Sequence, residues 1–455
     1  MEQVETAEQI VEGVVVSQQS FLGPDGNIYT NNHVEISKVF KGSVVSEMDV
    51  VTEGGVFGDL MQVVIPSAKM NVGIRGVVLV ASDQARGFSS LASNFFALDN
   101  DGKQVYGCRH AHEMGELEQL ISRTTGIEPI ELLKAEAEVQ VLTESVERVT
   151  PTINSVHPLH VTAGTRTLIT ISGQGFGTEQ GNGRIAFRNA DDGGASYVSL
   201  NDGPHYVSWT DTEIQMYVPS ATLYNTAVAG SGSIRVINSS GEFAESAEEV
   251  SVDFAKSEVI YSEALSKTKL VGTQQGGYEF TINQPLLALL GGSEMAELAL
   301  QKWACNTGVN FRLKEGYTSS TSFNHDDVNL FGLSEPGQLP GYLLGRTITT
   351  FSGCGTSEGL QWNLIEVDIL FNSDINWWTA ETQPMPNSFD MQTAMLHELG
   401  HAHLLQHNSN PASPMYFELT QGSMRRQFDV YSDIHGGAFV TTNSVNTEST
   451  CGDEF

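Results

Sequence analysis

His397-Glu398-Leu399-Gly400-His401 places two imidazoles four residues apart with a carboxylate beside the first, and a third imidazole, His407, follows six residues on. On a helix, positions four apart stack on one face, so His397 and His401 can offer two nitrogens to one cation while Glu398 stands next to it as a base. His407 cannot join them on a continued helix, because six more residues at 1.5 Å each carry it about 9 Å further along the axis. The chain must therefore leave the helix near Leu404 and return. Three neutral imidazoles then hold Zn²⁺ and leave its fourth position to water, the open arrangement of catalytic rather than structural zinc. The chemistry that fits is hydrolysis, with the metal polarising a carbonyl and Glu398 moving the proton of the attacking water. A lone His is usually a polar residue finding a hydrogen bond, and a bare H-E-x-x-H arises by chance in long helices; the third His at this offset is what separates the cluster from chance. His403 lies about 200° round the helix from His401 and cannot face the same ion. It reads as a residue behind the ligands or at the surface. Should the bend fail, Asp429 and Asp433 are the next candidates for the third ligand.

The elements that must position this cluster fall in residues 255–455, which read as a compact α/β domain. The ligand helix is expected to begin near Asn387 or Ser388, with Asp390 in its first turn. Tyr278-Glu-Phe-Thr-Ile282 alternates as a strand. Ser293 is a plausible N-cap for a helix that buries Met295, Leu298, Ala299 and Trp303 and stops at Gly308. Val309 to Leu313 and Glu366 to Phe371 read as further strands.

With those residues in view, the pattern H-E-x-x-H-x-x-x-x-x-H followed by Ser413-Pro414-Met415-Tyr416-Phe417 resembles the metzincin zinc metallopeptidases, most closely their matrixin-like group. The resemblance implies that Met415 belongs to a Met-turn forming a floor under the three imidazoles. It also implies that Ala299 to Phe311 is the family's first helix and next strand, and that Glu366 to Asp374 is an edge strand holding an extended peptide by β-augmentation. Two positions depart from the family. Leu404 stands where relatives have Gly at the bend, and a non-Gly residue at positive φ costs about 1–2 kcal/mol. Phe417 stands where some relatives place an extra Tyr ligand, so a three-His site with water is expected. Cys108 is a candidate latency ligand for the fourth position, since a thiolate binds zinc well and Arg109 favours its ionised form. The plainer reading is a small buried apolar residue.

Upstream, residues 8–95 read as a small β-barrel or sandwich domain of short strands, at Val14 to Val16, Val34 to Ile36, Val50-Val51, Val63 to Ile65 and Val77 to Val80. Residues 96–150 read as a helical linker or pro-segment, with Leu117, Leu120 and Ile121 at helical spacing and Pro129 opening a second helix. Residues 151–254 resemble an IPT/TIG immunoglobulin-like domain. The resemblance is carried by Pro151-Thr-Ile-Asn-Ser-Val-His-Pro158, Gly164, Leu168-Ile-Thr-Ile-Ser-Gly173-Gln-Gly175-Phe176-Gly177, Val207-Ser-Trp209, Val218-Pro219 and Ile234-Arg-Val-Ile-Asn-Ser-Ser-Gly241. It implies a two-sheet sandwich with Trp209 in its core, serving as a spacer or as a binder of a protein or surface partner. The chain is thus expected to be multidomain: an N-terminal small β domain, a helical linker, an Ig-like sandwich and a C-terminal α/β metzincin-like catalytic domain.

Composition narrows the functional classes. A formal net charge of −32 over 455 residues disfavours nucleic acid and anionic membranes as partners. Structural Ca²⁺ is a second use for so many carboxylates. No apolar stretch is long enough to span a bilayer, so no membrane insertion is expected. Met1 to Ala7 do not read as a signal peptide, and a secreted or cell-surface location is inferred from the motif alone. In an oxidising compartment two of Cys305, Cys354 and Cys451 are expected to pair, Cys354 with Cys451 being one choice. The function expected is a secreted zinc endopeptidase acting on proteins or peptides. The alternative is a non-catalytic surface adhesin or binding protein that keeps a zinc-stabilised domain.

Overall fold

The computed structural model describes residues 2–83, 86–98, 104–106, 111–132, 149–200, 203–221, 227–271, 278–356 and 359–445. The chain is multidomain and mostly β, with few helices. It divides into two compact units, one of Met1–Phe57 with Ser67–Val149, the other of Gly58–Pro66, Thr150–Thr222 and Ala227–Phe455.

In the first unit the strands are longer than the sequence suggests. Gln9–Leu22 and Ile28–Lys41, fourteen residues each, form a hairpin in which Val11, Val15, Val34, Ile36 and Val39 turn to one interior. Arg75–Asp83 and Phe88–Leu98 extend the sheet, and Glu47–Glu53 pairs with both Ile28–Lys41 and Phe88–Leu98, closing a five-strand ring. The helix Met114–Thr125 packs on this unit. Its Met114, Leu117 and Ile121 lie against Ile10, Phe40, Val77 and Leu79, because a helix with one apolar stripe must bury it. Leu120 is exposed. The second helix expected after Pro129 does not start there: Ile130–Glu131 is extended and pairs with Lys38 and Val39. Its remainder, residues 133–148, lies outside the described residues.

The second unit contains a β-sandwich and a mixed sheet with helices. In the sandwich, one sheet runs Thr152–His157, Leu168–Gln174, Glu213–Tyr217, Tyr206–Trp209. The facing strands are Tyr197–Ser199, Arg184–Asn189, Ala227–Ile237 and Phe243–Glu245. Its centre is Phe176 with Ile169, Ile171, Ile185, Ile214 and Val236. Trp209 is at the rim instead, half-buried on an edge strand with its indole N–H donated to the Phe176 carbonyl.

In the mixed sheet, Phe311–Leu313, Tyr278–Ile282, Asn329–Leu333 and Gly359–Phe371 run parallel, and Gly345–Thr356 pairs antiparallel to the last. The expectation that Glu366 to Asp374 supplies an edge is corrected here, since Gly359–Phe371 has partners on both sides and Glu366 to Phe371 are all buried. The outer neighbour of Gly345–Thr356 is Leu60–Ile65, antiparallel over Thr347 to Ser352. Val63 to Ile65 therefore belongs to this sheet and not to the ring of the first unit.

The helix Gly292–Thr307 begins after Gly291, a left-handed residue, with no side-chain cap; Ser293 lies inside it. Gly308 ends it as expected. Trp303, fully buried, donates its indole N–H to the Leu396 carbonyl at 3.0 Å and so ties this helix to Met391–Ala402. The latter starts later than the sequence suggests, because Phe389–Asp390 are still extended and pair with Trp377–Trp378. Asp390 is the N-cap. Its carboxylate accepts from the Thr393 N–H at 2.9 Å and from Arg426 Nε at 2.9 Å, and is itself wholly buried. Asp390→Ala removes a cap and strands the nearly buried Arg426, so we expect a loss of about 3–5 kcal/mol in denaturant unfolding. A loss below about 1 kcal/mol would show that Arg426 rehydrates freely.

Candidate metal centre

Every residue of Met391–Ala402 except His397 is buried, because the helix has the sheet and Gly292–Thr307 on one side and the chain after Met415 on the other. A helix that is apolar nearly all round is a core helix, and the polar groups it carries inside need partners. His397 Nδ1 donates to the Pro414 carbonyl at 2.8 Å and His401 Nδ1 to the Leu405 carbonyl at 2.9 Å. His407 Nδ1 donates to Asp191 Oδ1 at 2.8 Å. Carbonyls and carboxylates only accept, so all three rings carry a proton on Nδ1, which leaves Nε2 as the nitrogen that a neutral ring offers as a ligand. The ligand atoms of His397, His401 and His407 lie within 4.8 Å of one another, the one metal-capable group of His, Cys, Asp and Glu found among the described residues.

The Nε2 atoms of His397 and His401 are 3.2 Å apart. Neither can donate to the other, so the contact is two lone pairs facing each other. Two nitrogens at about 2.0–2.1 Å from a shared tetrahedral ion are separated by about 3.3 Å, and the spacing therefore suits a cation between them. Desolvation holds the pKa of the partly buried His397 down at about 3, with His407 beside it adding to the effect, and that of the buried His401 well below the usual imidazole value, which keeps both as neutral donors.

Between the second and third imidazoles the chain reverses as the spacing requires. Leu404 is left-handed at φ 60°. The Leu405 N–H returns to the Gly400 carbonyl and the Leu404 N–H to that of His401, the double bond pattern of a Schellman motif whose usual Gly is here a Leu. Outside the turn, Ser257 N–H donates to the Leu404 carbonyl and Gln406 N–H to that of Ala255. Leu404 itself is buried. Burial of a Leu contributes about 1.5–3 kcal/mol, enough to offset the 1–2 kcal/mol of left-handed strain.

Glu398 is buried, its Oε2 accepting from Thr347 Oγ1 at 2.6 Å and its Oε1 lying against Gly345, where a Cβ would come within 2.9 Å. Desolvation raises its pKa to about 7, the Thr347 hydroxyl opposing. Met415 is buried, and its sulfur occupies the space a side chain at position 400 would need, so Gly400 is demanded by this packing. Ser413 accepts from the Met415 N–H at 2.9 Å and donates to Asp433 Oδ1 at 2.6 Å. Asp433 thus supports the turn and Asp429 caps residues 430–434; neither joins the imidazoles. His403 is not at the surface. It is buried edge-on to Trp303, with Nε2 on Thr441 Oγ1 at 2.9 Å. Phe417 packs on Tyr416. Cys354 is disulfide-bonded and Cys305 is a free, exposed thiol, which removes Cys305 from the expected pair. Cys108, the candidate latency ligand, and Cys451 lie outside the described residues.

The sequence reading missed Asp191, Thr347 and Gly345. Each is far from the motif in the chain and no local pattern marks it. Asp191 lies in Ala190–Asp192 of the sandwich, between strands Arg184–Asn189 and Tyr197–Ser199. The family comparison matches this part of the chain, over residues 151–252. It is an IPT/TIG domain. No peptidase family matches elsewhere, and the curated proteins give no match. The IPT/TIG domain reaches the histidine segment at a second point, where the Ser231 N–H donates to Ser409 Oγ at 3.1 Å.

The Leu404 ledger gives an ordering. Leu404→Ala keeps the left-handed φ and loses burial, whereas Leu404→Gly loses burial and relieves the strain. We expect losses of about 2–5 kcal/mol for Ala and about 1 kcal/mol less for Gly in denaturant unfolding. The reverse order would mean that φ at this position is not under strain.

Proposed function

We propose that the chain is a zinc-dependent endopeptidase, metzincin-like in its catalytic region, acting on proteins or peptides in the extracellular space or at the cell surface. The observation that carries the reading is the convergence of three Nδ1-tethered imidazoles with a buried carboxylate on the next residue of the same helix. The packing of Met415 against Gly400 of the histidine helix and the parallel strands with two packed helices support it. The disulfide at Cys354 supports an oxidising compartment. Among the described residues no helix is long and apolar enough to cross a membrane.

His397, His401 and His407 would hold the zinc, which when bound supplies a Lewis acid and an acidified water. Glu398 takes the proton of the attacking water and returns it to the departing amine. Thr347, donating to Oε2, fixes the carboxylate and leaves Oε1 for that transfer. A closed structural site gains nothing from a buried base beside it, which is why the catalytic reading is preferred to a zinc-stabilised binding protein. The binding alternative draws on the IPT/TIG domain, since such domains often mediate protein interactions.

Glu398→Gln should keep one zinc per chain by elemental analysis and lower cleavage of a mixed peptide library by about 10²–10⁴-fold. Cleavage at the wild-type rate in that variant would sink the assignment, and no chelator-sensitive cleavage by the wild type would favour the binding alternative. His407→Ala should lower zinc affinity sharply in a competition titration, two imidazoles being too few to hold the ion. Undiminished affinity would place the third ligand elsewhere.

A further inference from the structure

The three imidazoles are tethered unequally. His397 and His401 donate to backbone carbonyls of their own region, Pro414 and Leu405, whereas His407 donates to a carboxylate that the IPT/TIG domain brings from 216 residues upstream. His407 is also the ligand least fixed by its own chain, since it follows the turn and has left the helix. We infer that Asp191 is a positioning residue of the metal centre, so that the IPT/TIG domain completes the site and is no mere spacer. The inference rests on the metal-binding reading of the three histidines.

The Asp191 carboxylate is held where it is needed. Asn189 caps Ala190–Asp192 by accepting from the Asp191 N–H at 3.0 Å, and the left-handed Gly193 closes the turn. Gly193 has no Cβ where Tyr416 passes, and Gly230 has none where Ser409 passes. With the Ser231 to Ser409 hydrogen bond, the domain therefore grips the chain on both sides of the Met415 turn and next to His407. Asp191 and His407 are largely but not wholly sheltered, at 26% and 16% side-chain exposure, so the bond is screened only in part. A carboxylate on the outer nitrogen fixes tautomer and ring orientation and raises the basicity of the ligating nitrogen, and loss of such a partner typically costs 10–100-fold in metal affinity.

The test uses the full chain with zinc alone, titrated against a chromophoric chelator, and with cobalt(II) as a spectroscopic reporter of ligand geometry. Asp191→Ala should bind zinc 10–100-fold more weakly and shift the cobalt d–d bands, because His407 is then free to turn. Ser409→Ala removes a contact between the domain and this segment without touching His407, and should stay within about twofold of wild type with unchanged bands. Asp191→Ala within twofold of wild type and with unchanged bands would overturn the inference while leaving the three-His site intact. A Ser409→Ala loss equal to that of Asp191→Ala would overturn it too, by showing that docking matters and the carboxylate does not. A wild-type chain that takes up no zinc would instead remove the metal reading beneath it.

Discussion

An α-helix carries its residues apart at 1.5 Å each, so an ion held by His397 and His401 meets a third imidazole only if the chain reverses at once. The left-handed residue Leu404 makes that reversal, and it does more than deliver His407. The first carbonyl after it, that of Leu405, accepts the Nδ1 proton of His401 and so sets that ring's tautomer. One backbone turn thus orients the second imidazole and brings in the third. Its strain is contained by burial of Leu404 and by the hydrogen bonds to Ala255 and Ser257 on either side.

Those partners show why the site belongs to the whole second unit and not to the motif. Ala255 ends the last strand of the IPT/TIG region and Ser257 begins the connection onward, so the segment joining sandwich to sheet is itself part of the turn's support. Asp191 comes from the sandwich, Pro414 from the Met415 turn and Thr347 from the strand beside the helix. Leu60–Ile65 comes from further away still. By pairing with Thr347 to Ser352 it covers unpaired backbone that would otherwise be an exposed sheet edge next to Glu398. The edge expected at Glu366 to Asp374 is thus absent there, and the strand outside it is covered by Leu60–Ile65 over Thr347 to Ser352.

Legibility in the sequence followed distance along the chain. The convergence of His397, His401 and His407 and the end of the helix could be read because helical geometry converts a spacing of four, then six, into a requirement on the backbone, whereas the place of Met415 was implied only by the family resemblance. The sandwich could be read because alternation and turn residues are local. What could not be read was every partner supplied by another segment. Val63 to Ile65 is a short apolar run like its neighbours in the first unit, and nothing in its composition says that it pairs with residues nearly 300 positions later. Asp390 looked like a first-turn residue because the extended pairing of Phe389–Asp390 with Trp377–Trp378 cannot be inferred from either pair alone. His403 could be left only between a place behind the histidines and one at the surface, because the aromatic wall of Trp303 and Phe311 that buries it comes from another helix and strand.

The two kinds of buried polar group on the ligand helix meet burial in opposite ways. Burial disfavours charge on both, so the histidines are held neutral, which is the state a metal ligand needs, while Glu398 is pushed toward protonation, which is not the state a base needs. The Thr347 hydroxyl favours the carboxylate but does not overcome desolvation. A divalent cation on the three imidazoles adds positive charge within a few ångströms of Glu398 and shifts the balance toward the ionised form, since such an ion is the largest local charge in its site. The same ion removes the repulsion between the facing lone pairs of His397 and His401. A cation bound there would relieve both electrostatic costs that this helix carries into the core.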